Sequence, residues 1–135
     1  MALETTKQSL EKWHHMIQAG NLFDLNDLLA DEVIFRSPVA HKPYEGRQVV
    51  FFILSNVIQV FQDFTYHREF YTEDGENVVL EFSANVSGKS LKGIDMIRFN
   101  EQGKIIDFEV MIRPMSGLAA LAEQMGIRIA QFQSQ

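Results

Sequence analysis

Apolar residues recur along the chain with two different periods, and the point where the period changes divides it. Leu10, Trp13 and Ile17 stand three and four residues apart, with Met16 beside them. That spacing is one face of a helix. Thr5 or Thr6 can cap it, and Gly20 is a stop signal. Asn21 predicts the start of a second, short helix, with Asp24 at the capping-box position and Leu22, Leu25, Leu28 and Leu29 as its stripe. Val33-Ile34-Phe35 reads as a short strand ended by Pro38, which has no N–H to give a ladder. Gly46 then opens a long helix. Val49, Phe52, Ile53, Val57, Val60 and Phe61 mark one face of it, and Val50, Phe51, Leu54 and Ile58 imply cover on a second side.

From Phe64 onward the period falls to two. Phe64, Tyr66, Arg68 and Phe70 alternate with Thr65, His67, Glu69 and Tyr71. Turn signals at Asp74-Gly75, Gly88 and Gln102-Gly103 separate further strands over residues 78–86, 90–99 and 105–113. Even turn spacing predicts an antiparallel meander. Pro114 stops the last strand. Ser116 caps a final helix carrying Leu118, Leu121, Ala122 and Met125, with Gly126 as its stop. The order is α-α-β-α-β-β-β-β-α. Helices bunched first and strands bunched last make an α+β domain. Val79, Glu81, Ser83 and Asn85 fall on the second face of their strand, and that mixture suits an exposed or a homodimer surface.

Composition narrows the function. The 135 residues suit a single domain over 1–135, with no linker or repeat. Eleven Phe in a chain that is 46% hydrophobic predict a wide core or an aromatic-lined cavity. A net charge of -6 argues against nucleic acid and against anionic membrane surfaces. The first two apolar stripes have helix-turn-helix geometry, but the acidic balance disfavours DNA reading. There is no cysteine, hence no disulfide or thiolate chemistry. No apolar run reaches the roughly 18–20 residues that span a bilayer. The first residues lack the apolar stretch of a signal peptide, so a cytoplasmic protein is expected. His14 and His15 are adjacent and face apart on a helix, and His67 stands alone, so no metal site is expected. No phosphate-binding glycine loop or Gly-x-Ser-x-Gly elbow occurs, and no cofactor is expected.

Four stretches carry a likeness at family level. They are the helices around Trp13 and Leu25–Leu29, the run Leu29-Ala30-Asp31-Glu32-Val33 into a strand, Tyr44-Glu45-Gly46-Arg47 before the long helix, and Asp95-Met96-Ile97-Arg98-Phe99 followed by Gly103-Lys104-Ile105. In this order and at this length, the chain resembles the nuclear transport factor 2-like superfamily, and within it the SnoaL-like group. The resemblance implies a cone-shaped roll: a curved, mainly antiparallel sheet wrapped around helices, with a pocket inside for a small apolar molecule. It also implies a homodimer through the outer sheet face. Relatives of this kind include cofactor-free isomerases, cyclases and dehydratases that transfer protons on carbonyl compounds, as well as non-catalytic binders. Such chemistry needs a base with a pKa near neutrality and a donor for a developing oxyanion. The alternatives to an enzyme are a ligand-binding protein and a dimeric interaction domain with a filled core.

Asp95 is the sharpest candidate. By alternation it shares a face with Leu91, Gly93, Ile97 and Phe99, so its carboxyl should be desolvated and its pKa raised. In SnoaL-like cyclases a strand aspartate carries proton transfer, and Asp95 is the best positional match. The plainer alternative is a carboxylate paired with an arginine or exposed at the sheet edge. His41 and Tyr44 lie in the polar, aromatic-rich segment 31–47, whose loop resembles the one at the family's cavity mouth. His titrates near neutrality and Tyr donates to oxygen. Otherwise they are a surface histidine and a packed tyrosine. Trp13, Phe35 and Arg113 are candidate ligand contacts. Against that, Trp13 also suits core packing, and Arg113 suits a salt bridge to Asp107, Glu109 or Glu81.

Overall fold

A computed structural model describes residues 2–133 of the protein. Helix α1 (Ala2–Ala19) leads through a 3-10 turn (Phe23–Asp27) into strand β1 (Leu29–Arg36), the two-residue strand β2 (Tyr44–Glu45) and helix α2 (Arg47–Val60). Strands β3 (Gln62–Tyr71), β4 (Asn77–Val86), β5 (Lys89–Phe99) and β6 (Ile105–Arg113) follow, and helix α3 (Met115–Gln133) closes the chain. The six strands form one curved, unclosed sheet in the order β2-β1-β6-β5-β4-β3. β3 to β6 are the expected antiparallel meander. β1 joins its far side parallel to β6, which makes the sheet mixed. Among the described residues no helix is long and apolar enough to cross a membrane.

The period-two pattern decides what the sheet buries. Val78, Leu80, Phe82, Ala84 and Val86 of β4 face inward, and so do Leu91, Ile97 and Phe99 of β5. Leu10, Trp13 and Met16 of α1, Val50, Ile53 and Leu54 of α2, and Leu121 and Met125 of α3 cover them. Burying side chains of this size stabilises by about 1.5–3 kcal/mol each before entropy is counted.

Helix α1 is strapped to two hairpin turns. The Thr6 hydroxyl donates to the Gly75 carbonyl at 2.7 Å, and the Ser9 hydroxyl to the Gly103 carbonyl at 2.6 Å. Both glycines have positive φ, 75° and 77°. A Cβ on Gly75 would sit 2.7 Å from the Leu3 Cα, and one on Gly103 would sit 2.6 Å from the Thr5 Cγ2. Only glycine fits a turn that is left-handed and pressed against a helix.

Several boundaries differ from the sequence reading. The second helix is a five-residue 3-10 turn, because the chain is already extended at Leu29, which pairs with Ile105. Asn21 accepts a hydrogen bond from the Phe23 N–H at 2.9 Å, a local turn in place of the expected helix cap. Strand β2 was not foreseen; it pairs Tyr44 with Phe35 and Glu45 with Ile34. Gly126 does not stop α3. Contacts beyond it hold the helix: Ile129 joins the core, Arg128 donates to Asn56 at 3.1 Å, and the Phe132 ring lies 5.1 Å from that of Phe52. Strand β3 departs from strict alternation as well. Tyr66 pairs with Phe82 and Glu69 with Leu80, so one extra residue bulges between them. The bulge keeps Phe64 and Tyr66 inward and sends Arg68 and Phe70 to the outer face.

Gly103 and Gly126 give opposite stability predictions. Gly103→Ala should destabilise by about 1–3 kcal/mol, through left-handed backbone strain and the contact with α1. Gly126→Ala has open space around its Cβ inside a helix and should stabilise by about 0.5–1 kcal/mol. Urea unfolding of both variants measures this, and equal effects would contradict the strapping of α1.

Candidate functional site

Between the inner sheet face and the helices lies a narrow, partly open cavity in which the centre of a water molecule can range over about 60 Å³. Its walls are almost wholly apolar. Ile53, Leu54, Val57 and Ile58 come from α2, Phe61 from the residue just after it, Leu121, Met125 and Ile129 from α3, and Phe108, Val110 and Ile112 from β6. Pro38, Val39 and Tyr44 line it from the segment between β1 and α2. Aromatic rings form two groups. Trp13, Phe108, Phe35 and Tyr44 run in series, with successive centroids 5.4, 5.7 and 6.3 Å apart. Phe64 stacks on Phe82 at 4.9 Å, with Phe61 and Tyr66 against them.

One carboxyl lines this cavity. Asp95 sits on β5 opposite Leu80, and it is 5% exposed. The Tyr66 hydroxyl, reaching across β4, donates to Asp95 Oδ2 at 2.6 Å. The Trp13 indole N–H donates in turn to the Tyr66 oxygen at 2.9 Å. Three elements distant in sequence, α1, β3 and β5, thus meet in one hydrogen-bonded chain. The floor beside it depends on Gly93. A Cβ there would stand 2.6 Å from the Phe82 ring and 2.5 Å from the Met111 carbonyl oxygen, so glycine lets the ring lie flat over β5.

The electrostatics follow from burial. Loss of water pushes the Asp95 carboxyl up to about 7, and the Tyr66 hydrogen bond offsets only part of that rise. Burial and the neighbouring carboxylate drive Tyr66 well above the usual phenol range, so it stays protonated and stays a donor. At neutral pH the site therefore holds a carboxyl divided between its acid and base forms, which is what a proton-transfer group requires.

The sequence candidates separate into two sets. Trp13, Phe35, Tyr44 and Asp95 all line the cavity. His41 is exposed in the loop after β1 and is not on the cavity wall. Arg113 pairs with Lys92 on the outer sheet face, where it lines a shallow groove with Glu81 and Met111, away from the cavity. That groove also holds the salt bridges of Glu81 to Arg68 and Lys92, at 2.7 and 3.1 Å. Those cations hold the Glu81 carboxyl well below the usual range. Tyr66 is the cavity residue bonded to Asp95 that sequence reasoning missed. Its inward position was visible beside Phe64, but nothing in the pattern showed that it would span β4 to reach β5. Among the described residues no group of three His, Cys, Asp or Glu could hold a metal ion.

Comparisons with known proteins agree on the fold. The model of the SnoaL-like domain family matches residues 10–108. A steroid delta-isomerase from Pseudomonas aeruginosa is 53% identical, with a TM-score of 0.95 over 97% of this chain and 96% of that one. A Silicibacter pomeroyi protein with a cystatin-like fold is 33% identical, with a TM-score of 0.85 over 93% and 90% of the two chains. The epoxide hydrolase/cyclase-like enzyme SalBIII of salinomycin pyran-ring formation is 16% identical, with a TM-score of 0.70 over 87% and 97%, which shows a shared fold. No curated protein matches this chain.

The raised Asp95 pKa has a sign that stability can test. The carboxyl binds its proton more tightly folded than unfolded, where its pKa is near 3.8. Its burial is therefore fully tolerated below pH 4 and becomes destabilising as pH rises toward and through 7. Asp95→Asn removes that titration. Relative to wild type, the variant should gain stability between pH 4 and pH 8, by up to about 4 kcal/mol. Urea midpoints across that range measure it, and a constant difference would mean that the carboxyl is ordinary.

Proposed function

Since the chain belongs to the SnoaL-like domain family and sets one carboxyl of near-neutral pKa in an apolar cavity, we propose that it is a cofactor-free enzyme moving a proton on a small apolar carbonyl compound. The single observation that carries this reading is Asp95: buried, bonded among the described residues through Oδ2 alone, and lining the cavity. Ionised Asp95 takes a proton from the carbon beside the carbonyl, and an enolate forms. Neutral Asp95 returns the proton to another carbon, so the double bond moves and nothing is consumed. Tyr44 on the cavity wall is the candidate donor to the enolate oxygen. Trp13 and Phe35 offer flat apolar contacts. The steroid delta-isomerase at 53% identity supports isomerisation of an unsaturated cyclic ketone as the first reaction to test. The cyclase and dehydratase readings use the same base on other carbonyl substrates.

A non-catalytic binding role is the second reading. It is favoured by the cavity's lining, which among the described residues includes no second carboxyl and no histidine to share the proton work. Turnover separates the two. With a β,γ-unsaturated 3-ketosteroid and cyclohex-3-enone as probes, kcat/KM should rise about tenfold per pH unit below 7 and level off above it, as an ionised base requires. Asp95→Asn should lower kcat by about 10³-fold or more with unchanged circular dichroism. Probe binding without turnover in wild type would select the binding role.

The proposal includes a homodimer through the outer sheet face. Phe70, Met96 and Met111 are exposed there at 53%, 39% and 47%, around the Glu81 ion pairs. Apolar residues surrounding a satisfied charge suit an interface between copies. Light scattering should give twice the chain mass of 15.5 kDa. A Met96→Glu/Met111→Glu variant should give the single mass, and a wild-type monomer would remove the dimer.

A further inference from the structure

We propose that Trp13 is a positioning residue for Asp95: by donating its indole N–H to the Tyr66 oxygen, it fixes the direction of the Tyr66 O–H and so confines the exchangeable proton of Asp95 to Oδ1. The inference rests on the proton-transfer reading of the same cavity and adds to it the oxygen that acts.

An indole nitrogen has a hydrogen to give and no lone pair to offer. The 2.9 Å contact therefore runs only from Trp13 to Tyr66. A phenol oxygen that accepts on that side has one hydrogen left, and the 2.6 Å contact places it on Asp95 Oδ2. Oδ2 is then an acceptor whether Asp95 is ionised or neutral. A neutral carboxyl in this chain carries its hydrogen on Oδ1, which has no other hydrogen-bond partner among the described residues. Without the indole the Tyr66 hydroxyl could rotate. Asp95 could then donate from Oδ2 to the phenol oxygen, leaving Oδ1 without a hydrogen. Each bond in such a chain also polarises the next, so the indole makes the Tyr66 O–H a better donor.

Two consequences concern the ligand. In its acid form the site offers one O–H to a carbonyl oxygen, so ketone affinity should fall as Asp95 ionises. A ligand of the same shape with no acceptor should bind independently of pH. Other titratable groups near the chain are few. His14 of α1 places its ring 5.1 Å from that of Tyr66 and bonds Glu69 of β3 at 2.9 Å. Tyr71 of β3 donates to the same Glu69, and Tyr44 lies on the cavity wall. β4, β6, α2 and α3 present apolar side chains to the cavity. His14→Gln is therefore the control for a second origin of any pH effect.

The chain contains one tryptophan, so its indole N–H resonance needs no assignment. In wild type that 1H–15N signal should shift with a single midpoint near 7, unchanged in His14→Gln and absent in Asp95→Asn and Tyr66→Phe. A signal that does not titrate in wild type, or that still titrates in Asp95→Asn, overturns the relay. The second measurement uses 2-acetonaphthone and 2-ethylnaphthalene as matched probes at pH 5.5 and 8.5. Wild type should bind the ketone about ten-fold tighter at the lower pH, the worth of one hydrogen bond, and the hydrocarbon equally at both. In Trp13→Phe the ketone ratio should fall to about two-fold or less. A ratio unchanged in a folded Trp13→Phe protein overturns the positioning role. An indole that titrates in a protein that binds neither probe supports the relay and overturns the carbonyl reading instead.

Discussion

A carboxyl group surrounded by apolar side chains is unstable as an anion and needs a partner as an acid, and that constraint organises this molecule. Asp95 faces the inside of the sheet because strand alternation leaves it no other face. Tyr66 meets it from two strands away, and Trp13 meets Tyr66 from the opposite layer. The contacts hold only if α1 lies at one height and angle over the sheet. The hydroxyls of Thr6 and Ser9 set that height by gripping the glycines of the first and last hairpin turns of the meander. Gly93 gives the Phe82 ring room beside the carboxyl. Parts of the fold that look merely structural thus determine the protonation state of one side chain.

Much of this was legible in the sequence, for reasons that differ by residue. The change of period from helix to strand gave the element order, and alternation on β5 placed Asp95 inward among Leu91, Ile97 and Phe99. Short-range pattern was enough there, because β5 runs opposite β4 without a shift in register. It failed on β3, where a bulge moved Arg68 and Phe70 to the outer face. The bond from Tyr66 to Asp95 joins residues 29 apart in sequence, and no local period encodes it. The Leu22–Leu29 stripe resembled a helix because closely spaced leucines suit a short helix and a buried turn alike. Gly126 was misleading because the contacts of Ile129, Arg128 and Phe132 outweigh the local penalty of a helical glycine.

The candidate contacts divide along the same line. Phe35, Tyr44 and Trp13 share the cavity because β1, β2 and α1 border it. Arg113 lies on the opposite face by register with Lys92, and strand alternation alone did not say which face of β6 is the inner one. His41 belongs to a loop whose course no periodic pattern describes. Family likeness extends to the fold, while the cavity and its acid are read from this chain's own side chains.

The most direct test of this account is the ionisation of Asp95 itself, followed by the 13C resonance of its carboxyl carbon across pH 4 to 9 in wild-type protein and identified by its loss in Asp95→Asn. The account predicts a single titration with a midpoint near 7. A midpoint near the ordinary 3.8 would mean that water reaches the carboxyl freely, and the cavity would then hold no poised acid.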